Sequence, residues 1–298
     1  MSTQPSGRSY GVGIDLGPAP YEMYSYEQVH GADVSAAYGA NKDYNLKFLF
    51  TPMSTLVTQS TLCKEWADLV NAGDANWPEG YKWRAVNQFP TVEQYDADFN
   101  FQSSVRMYAG TGAGLSGACN IQQVIRDTFP ASFTYIMPFI YKRPVADGNV
   151  RTLMSSSRLA GTANWFYLQR VSSSFDKLVY CPDQVTLSGS VNSYQFSPLV
   201  EGSLHLAVVS MQDSTKKSEL WLDGVMVSQF THSGGVDSNG QLLSLGSLSN
   251  GSSALDERFG TVALSSIPMA ARSGVDLVYG DMLQGLQTRL KNIYGITT

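Results

Sequence analysis

Charge is scarce in this sequence. Asp, Glu, Lys and Arg make up 15% of its 298 residues, against about a quarter in ordinary soluble domains. What charge there is leans acidic, with 20 Lys and Arg against 25 Asp and Glu and a net charge of −5. A nucleic-acid binder needs a basic face, so that class is excluded. Cysteine is equally sparse. Cys63, Cys119 and Cys181 are far apart and form no C-x-x-C pair, which leaves neither a disulfide framework nor a thiolate zinc site and points to buried thiols. The three histidines, His30, His205 and His232, make no H-x-H or H-E-x-x-H pattern. No G-x-S-x-G elbow is present for a serine nucleophile. Long apolar runs are missing too, so no stretch approaches the roughly 20 residues of a membrane span. The first residues, MSTQPSGRSYGVG, lack the apolar core of a secretory leader. The expectation is a chain without cofactor or metal that is cytosolic, exported by another route, or made in a cytoplasm and built into a larger particle.

What is abundant is turn and strand chemistry. Residues 204–224 read LHLAVVSMQDSTKKSELWLDG, an apolar run, a polar break, a second short run, and then Asp223-Gly224. Gly takes positive φ without steric cost, so the dipeptide predicts a tight structural turn. Val225, Val227 and Phe230 resume the apolar pattern, and three strands joined by two turns follow. Short strands recur on either side, in FTYIMPFIY (133–141), WFYLQR (165–170), and at 177–180, 184–187, 193–196, 242–245 and 261–264. About ten short strands separated by turns mark a sandwich or jelly roll. Pro138 inside 133–141 predicts an edge strand or a bulge.

The same central residues resemble the hairpin of laminin-G-like domains in the concanavalin A-like superfamily. His205, Ala207, Val208 and Leu222-Asp223-Gly224 match, while Leu204 stands at the usual Trp position. The closing run Phe259-Gly260-Thr261-Val262-Ala263-Leu264 and the tail at Leu283, Leu286 and Tyr294 also fit. The resemblance covers about residues 129–294. It implies an antiparallel two-sheet jelly-roll sandwich; with the residues ahead of it, the expectation is a mainly β chain whose N-terminal extension contains one helix. The expected division is 1–88 for the arm and helix, and 89–298 for the jelly roll.

The helix is expected over residues 55–71. Leu56, Leu62, Cys63, Trp66, Leu69 and Val70 fall mostly three and four apart, which gives one apolar face, and Gly73 would cap it. Ahead of it, Tyr10, Tyr21, Tyr24, Tyr26, Tyr38 and Tyr44 lie in a segment broken by Gly and Pro. That much aromatic area predicts an assembly arm packed on a neighbouring subunit or on its own domain. Trp77, Tyr81 and Trp165 are the candidate sugar-stacking aromatics; for Trp77, Tyr81 and nearby Trp83 the commoner reading is loop aromatics pinning secondary structure together.

Gly112, Gly114 and Gly117 have G-x-G-x-x-G spacing. A dinucleotide fold would need an acidic residue about 20 positions on, but the strand after it ends in Lys142-Arg143-Pro144, so a glycine loop is the better reading. Glycosidases require two carboxylates facing one site. Asp96 and Asp98 share an expected strand face and read as solvated, whereas the adjacent Asp256 and Glu257 would point to opposite faces. Asp237 in its loop supplies a single carboxylate, too few oxygens for calcium. Asn250-Gly251-Ser252 is a glycosylation sequon without a secretory context.

These observations favour a non-enzymatic structural or binding protein. The leading expectation is a bacteriophage or viral virion component, such as a capsid decoration, fibre or tail protein. It would partner other capsid or tail subunits as a homo-oligomer and contact cell-surface glycans. A soluble carbohydrate-binding lectin is the alternative, and a divergent glycoside hydrolase stands behind both.

Overall fold

The computed structural model describes residues 44–59, 62–70, 82–108, 119–125, 129–158, 161–183, 191–238, 242–250, 252–271 and 282–297. Seventeen strands and one α-helix are built from them. One sheet runs in the order β2 (Leu62–Asp68), β1 (Leu46–Gln59), β17 (Val262–Ser265), β7 (Phe133–Ile140), β12 (Leu204–Gln212), β13 (Lys217–Leu222) and β14 (Val225–Thr231). The facing sheet runs β3 (Lys82–Asn87), β6 (Cys119–Val124), β15 (Leu242–Leu245), β8 (Val150–Arg158), β9 (Gly161–Arg170), β10 (Asp176–Cys181) and β11 (Asn192–Phe196). Ladders between these strands are antiparallel, as expected of a mainly β sandwich.

The strands β4 (Thr91–Asp96), β5 (Gln102–Arg106) and β16 (Arg258–Phe259) bridge β2 to β7. Together with β1, β17, β7 and β2 they close a ring of seven strands. This closure was not part of the jelly-roll expectation. Its physical benefit is the loss of open edges, which are templates for unwanted pairing.

Strand alternation explains the two cores. In β7, Phe133, Tyr135, Met137 and Phe139 point between the sheets, where they meet Ile121, Leu153, Phe166, Leu178, Tyr180 and Leu245. Ile136 and Ile140 point the other way, onto α1 (Met282–Tyr294). Met282, Leu283, Leu286, Leu290 and Tyr294 give α1 its apolar face, and Gly295 ends it at φ 68°. Strand β7 is therefore central and buried on both faces, a correction to the edge reading drawn from Pro138. The missing N–H falls where β17 and β16 part company, and Gly260 N–H donates to Pro138 O at 3.0 Å across that gap.

The helix expected over 55–71 is instead the β1–β2 hairpin, and the one α-helix lies at the other end of the described chain. Register shifts in the β1–β2 ladder supply the reason. A bulge changes which residues face inward, so Cys63 and Trp66, three apart, are both buried. That spacing mimics a helical face. The ladders also cross the expected 88/89 boundary, since β1 pairs with β17 and β3 with β6. Tyr44, assigned to an assembly arm, is fully buried in the core beneath α1, where its hydroxyl receives a bond from Arg289. Asp96 is buried rather than solvated. It accepts from Arg258 Nη1 at 2.8 Å through both oxygens, from the Ser104 hydroxyl, and from Asp98 N–H at 3.0 Å. The strand expected at 184–187, the glycine loop at 110–117 and the first five arm tyrosines lie outside the described residues.

Candidate functional site

Two constellations carry the candidate site residues. The first is the turn at Asp223-Gly224. Both residues have positive φ, 51° and 84°, the pattern of the primed hairpin turns whose twist matches flanking strands. The Asp223 carboxylate is employed twice. Its Oδ1 accepts from Leu206 N–H at 2.8 Å, and its Oδ2 lies 2.7 Å from His205 Nδ1. On the far side of the imidazole, Ser203 Oγ is 2.7 Å from Nε2. Lys291 of α1 donates to the Asp223 carbonyl at 2.8 Å.

Ser203, His205 and Asp223 thus stand in the order of a hydrolase triad. The hydroxyl and the amides beside it have further partners. Ser203 Oγ also donates to Val200 O at 2.5 Å, and the N–H groups of Gly202 and Ser203 donate to Tyr141 O and Val200 O. Both of these backbone donors are therefore engaged within the turn. The network ties β12, the β13–β14 turn and α1 together, so the expected structural role of Asp223 and Gly224 has a geometric basis. His205 and Asp223 were legible as a strand residue and a turn; the Ser203 contact was not, because it depends on the turn at 200–203.

The second constellation is on β9. Phe166 and Leu168 point into the core, so Trp165, Tyr167 and Gln169 line the opposite face. The Trp165 and Tyr167 rings lie 4.2 Å apart at 36°. Trp165 Nε1 donates to Thr152 Oγ1 at 3.1 Å, which fixes its plane. Both rings are partly exposed. Cross-strand register places Tyr167 beside Val179 and Val179 beside Ser193, and Gln169 beside Lys177 and Lys177 beside Gln195. Burial pushes the Tyr167 phenol up to about 12, so it is a neutral donor at ordinary pH. An amphipathic two-ring surface bordered by amides, a lysine and a serine can stack an apolar ligand face and bond its polar edge.

Of the three aromatics proposed for stacking, the structure places Trp165 on this surface; Trp77 and Tyr81 lie outside the described residues. Trp83, from the same loop region, is buried against Phe48 and Phe50. Tyr167, the partner ring, was missed, although its i+2 spacing from Trp165 within a strand was the available signal. A polar cleft of about 260 Å³ opens on the other sheet, lined by Ser210, Gln212, Lys217, Glu219, Pro268, Ala270 and Ala271. Its Glu219 is held by Lys217 at 3.3 Å and Gln229 at 2.7 Å. Among the described residues, no cluster of three or more His, Cys, Asp or Glu could hold a metal, and no helix is long and apolar enough to cross a membrane.

No protein-family model and no curated protein sequence matches the chain. Solved structures do. Domain 4 of AbnA, an extracellular arabinanase of Geobacillus stearothermophilus in complex with arabinotriose, is 9% identical, with a TM-score of 0.50 over 83% of this chain and 98% of that one. The binding domain of Paraclostridial Mosquitocidal Protein 1 is 11% identical, with a TM-score of 0.49 over 83% of this chain and 52% of that one. A botulinum neurotoxin DC binding domain in complex with SialylT is 8% identical, with a TM-score of 0.45 over 71% of this chain and 46% of that one. The arabinanase domain establishes likeness of fold, a β-sandwich. The chain spans about half the length of the two toxin binding domains.

Proposed function

We propose that this chain is a non-catalytic glycan-binding protein on a concanavalin A-like jelly roll, with Trp165 and Tyr167 as its stacking platform. The observation that carries the reading is the ring pair itself. The two rings stack on each other with centroids 4.2 Å apart, so their outer faces and edges, partly exposed on the strand and held through Thr152, form a preorganised apolar surface within a polar border. The C–H face of a pyranose or furanose meets the negative face of such rings, and its hydroxyls meet the border. The arabinanase domain that shares the fold was solved with arabinotriose, a ligand of this class. The absence of a catalytic role is part of the proposal, supported by the occupied donors around Ser203 and by the ion pairing of Asp96. A glycan array tests it: the protein should retain one or more glycans uncut, and an empty array removes the reading.

The finer proposal is that the module is displayed on a virion. The tyrosines at 10, 21, 24, 26 and 38 motivate it, because that aromatic area is stabilised when buried, by about 25 cal/mol per Å² of apolar surface. Deleting residues 1–43 should leave the sandwich folded and the glycan bound while abolishing incorporation into the particle. Normal assembly of the truncated protein would end the arm's role.

A further inference from the structure

The row that contains Trp165 continues across the sheet. Trp165 stands opposite Ser155 of β8, Ser155 opposite Ser244 of β15, and Ser244 opposite Gln122 of β6. Directly opposed residues share a face, and Asn120 lies two positions from Gln122 on the same side. From β9 to β6 is three strand spacings, about 14 Å at ~4.8 Å each. Beyond the tryptophan this row consists of two hydroxyls and two amides, all uncharged.

Residues 246–250 lie over it. Ser155 Oγ donates to Ser247 O at 2.9 Å, Asn120 Nδ2 to Ser249 O at 2.8 Å, and Gln122 Nε2 to Ser249 O at 2.5 Å. The cover is incomplete in its bonding. Asn120 Oδ1, Ser244 Oγ and Ser247 Oγ have no partner among the described residues, and all three side chains belong to fully buried residues. Leaving such groups unpaired destabilises the closed arrangement. The loop's own shape rests on local contacts. Asn250 Oδ1 accepts from Ser252 N–H at 2.9 Å and from its hydroxyl at 2.7 Å, while Leu248 N–H donates to Ser252 O at 3.0 Å. Gly246 within it has positive φ, 67°, as does Ser253 beyond it, 53°.

We propose that residues 246–250 are a lid over a polar groove that extends the aromatic platform across β8, β15 and β6. The ligand class is a neutral oligosaccharide of three or more rings; the inference rests on the platform reading. The lid's carbonyls occupy the positions that sugar hydroxyls take when it opens. Those hydroxyls accept from Asn120 and Gln122, and can also donate to Asn120 Oδ1 and Ser244 Oγ, which the closed lid leaves unpaired. A binding-competent state that is only fractionally populated lowers apparent affinity by that fraction.

Two measurements on the full chain test this. Native-state hydrogen exchange at Leu248, Ser249 and Ser252 should proceed through a local opening that is insensitive to low denaturant, and faster in Asn250→Ala. Calorimetry with glucose, mannose and galactose and their linear trisaccharides should then show Asn250→Ala tightening trisaccharide binding on the order of fivefold, with monosaccharide binding unchanged. Ser244→Ala in that background should reverse the gain. Exchange of the lid amides only through global unfolding overturns the lid, as does an unchanged trisaccharide-to-monosaccharide ratio. In either case a monosaccharide affinity that Trp165→Ala abolishes leaves the platform standing. If none of the probes binds any variant, the groove as a site for neutral hexose oligosaccharides falls, while the platform stands or falls with the glycan array.

Discussion

Asp223 holds His205 from across a hairpin, Oδ2 to Nδ1 at 2.7 Å, while its other oxygen receives the Leu206 N–H at 2.8 Å. Both partners are buried. Asp223→Ala therefore strands a backbone donor and an imidazole nitrogen, and should cost about 1–3 kcal/mol. Gly224→Val forces a β-branched residue to φ 84° and should cost a similar ~1–3 kcal/mol through backbone strain. Urea denaturation checks both. Wild-type midpoints would mean that the turn has a different geometry, and glycan binding should survive in each variant.

Gly260 marks a close approach rather than a turn. A Cβ there would come within 2.8 Å of Tyr294 Oη and 3.1 Å of Pro138 Cγ, and Tyr294 Oη accepts the Thr261 N–H at 3.0 Å. Gly260→Ala must push α1 off the sheet or break that bond, at about 1–3 kcal/mol. Tyr294→Phe should lose less, and it should partly relieve Gly260→Ala in the double variant. A double-mutant cycle in denaturant reads the coupling, and strict additivity would contradict it.

Alkaline stability follows from the tyrosines. Burial raises Tyr167 from the ordinary value of 10 to about 12, and holds Tyr135 and Tyr180 well above 10. Below pH 10 these phenols are neutral in both states and their contribution is fully present. From pH 10 to 12 the unfolded chain releases protons that the folded chain keeps, so stability falls as pH rises. The urea midpoint should be flat from pH 6 to about 8, begin to fall near pH 9 because burial also raises the thiols of Cys63, Cys119 and Cys181 above the ordinary 9, and decline further by pH 11. Tyr167→Phe should make that decline shallower.

Much of this architecture was legible because strands announce themselves locally. Phe133, Tyr135, Met137 and Phe139 alternate as a strand must, and Asp223-Gly224 predicted its turn. Three features were hidden for physical reasons. The bulged β1–β2 ladder brings Cys63 and Trp66 to one face at a spacing of three, which imitates a helix. Pro138 looked like an edge marker because sequence cannot show that two strands share one edge of β7 with a gap between them. The helix at the C-terminal end carries Leu283, Leu286 and Leu290 at helical spacing, but Leu283 and Leu286 were read only as the tail of the family resemblance, with no secondary structure assigned. At the site, Trp165 was legible by residue type. Tyr167 and the polar row through Ser155, Ser244 and Gln122 depend on registers that only the folded sheet defines.

The measurement that bears most directly on the central claim is the affinity of the best array glycan for the wild type, Trp165→Ala and Trp221→Phe, with thermal unfolding recorded alongside. Trp221 packs beneath α1 on the other sheet and serves as the control. If Trp165 and Tyr167 form the platform, Trp165→Ala weakens binding at least about tenfold, ~1.4 kcal/mol or more, in a protein that melts somewhat lower for want of the Thr152 bond but is fully folded at the assay temperature, while Trp221→Phe binds as the wild type does. Equal affinity in wild type and Trp165→Ala would contradict the account.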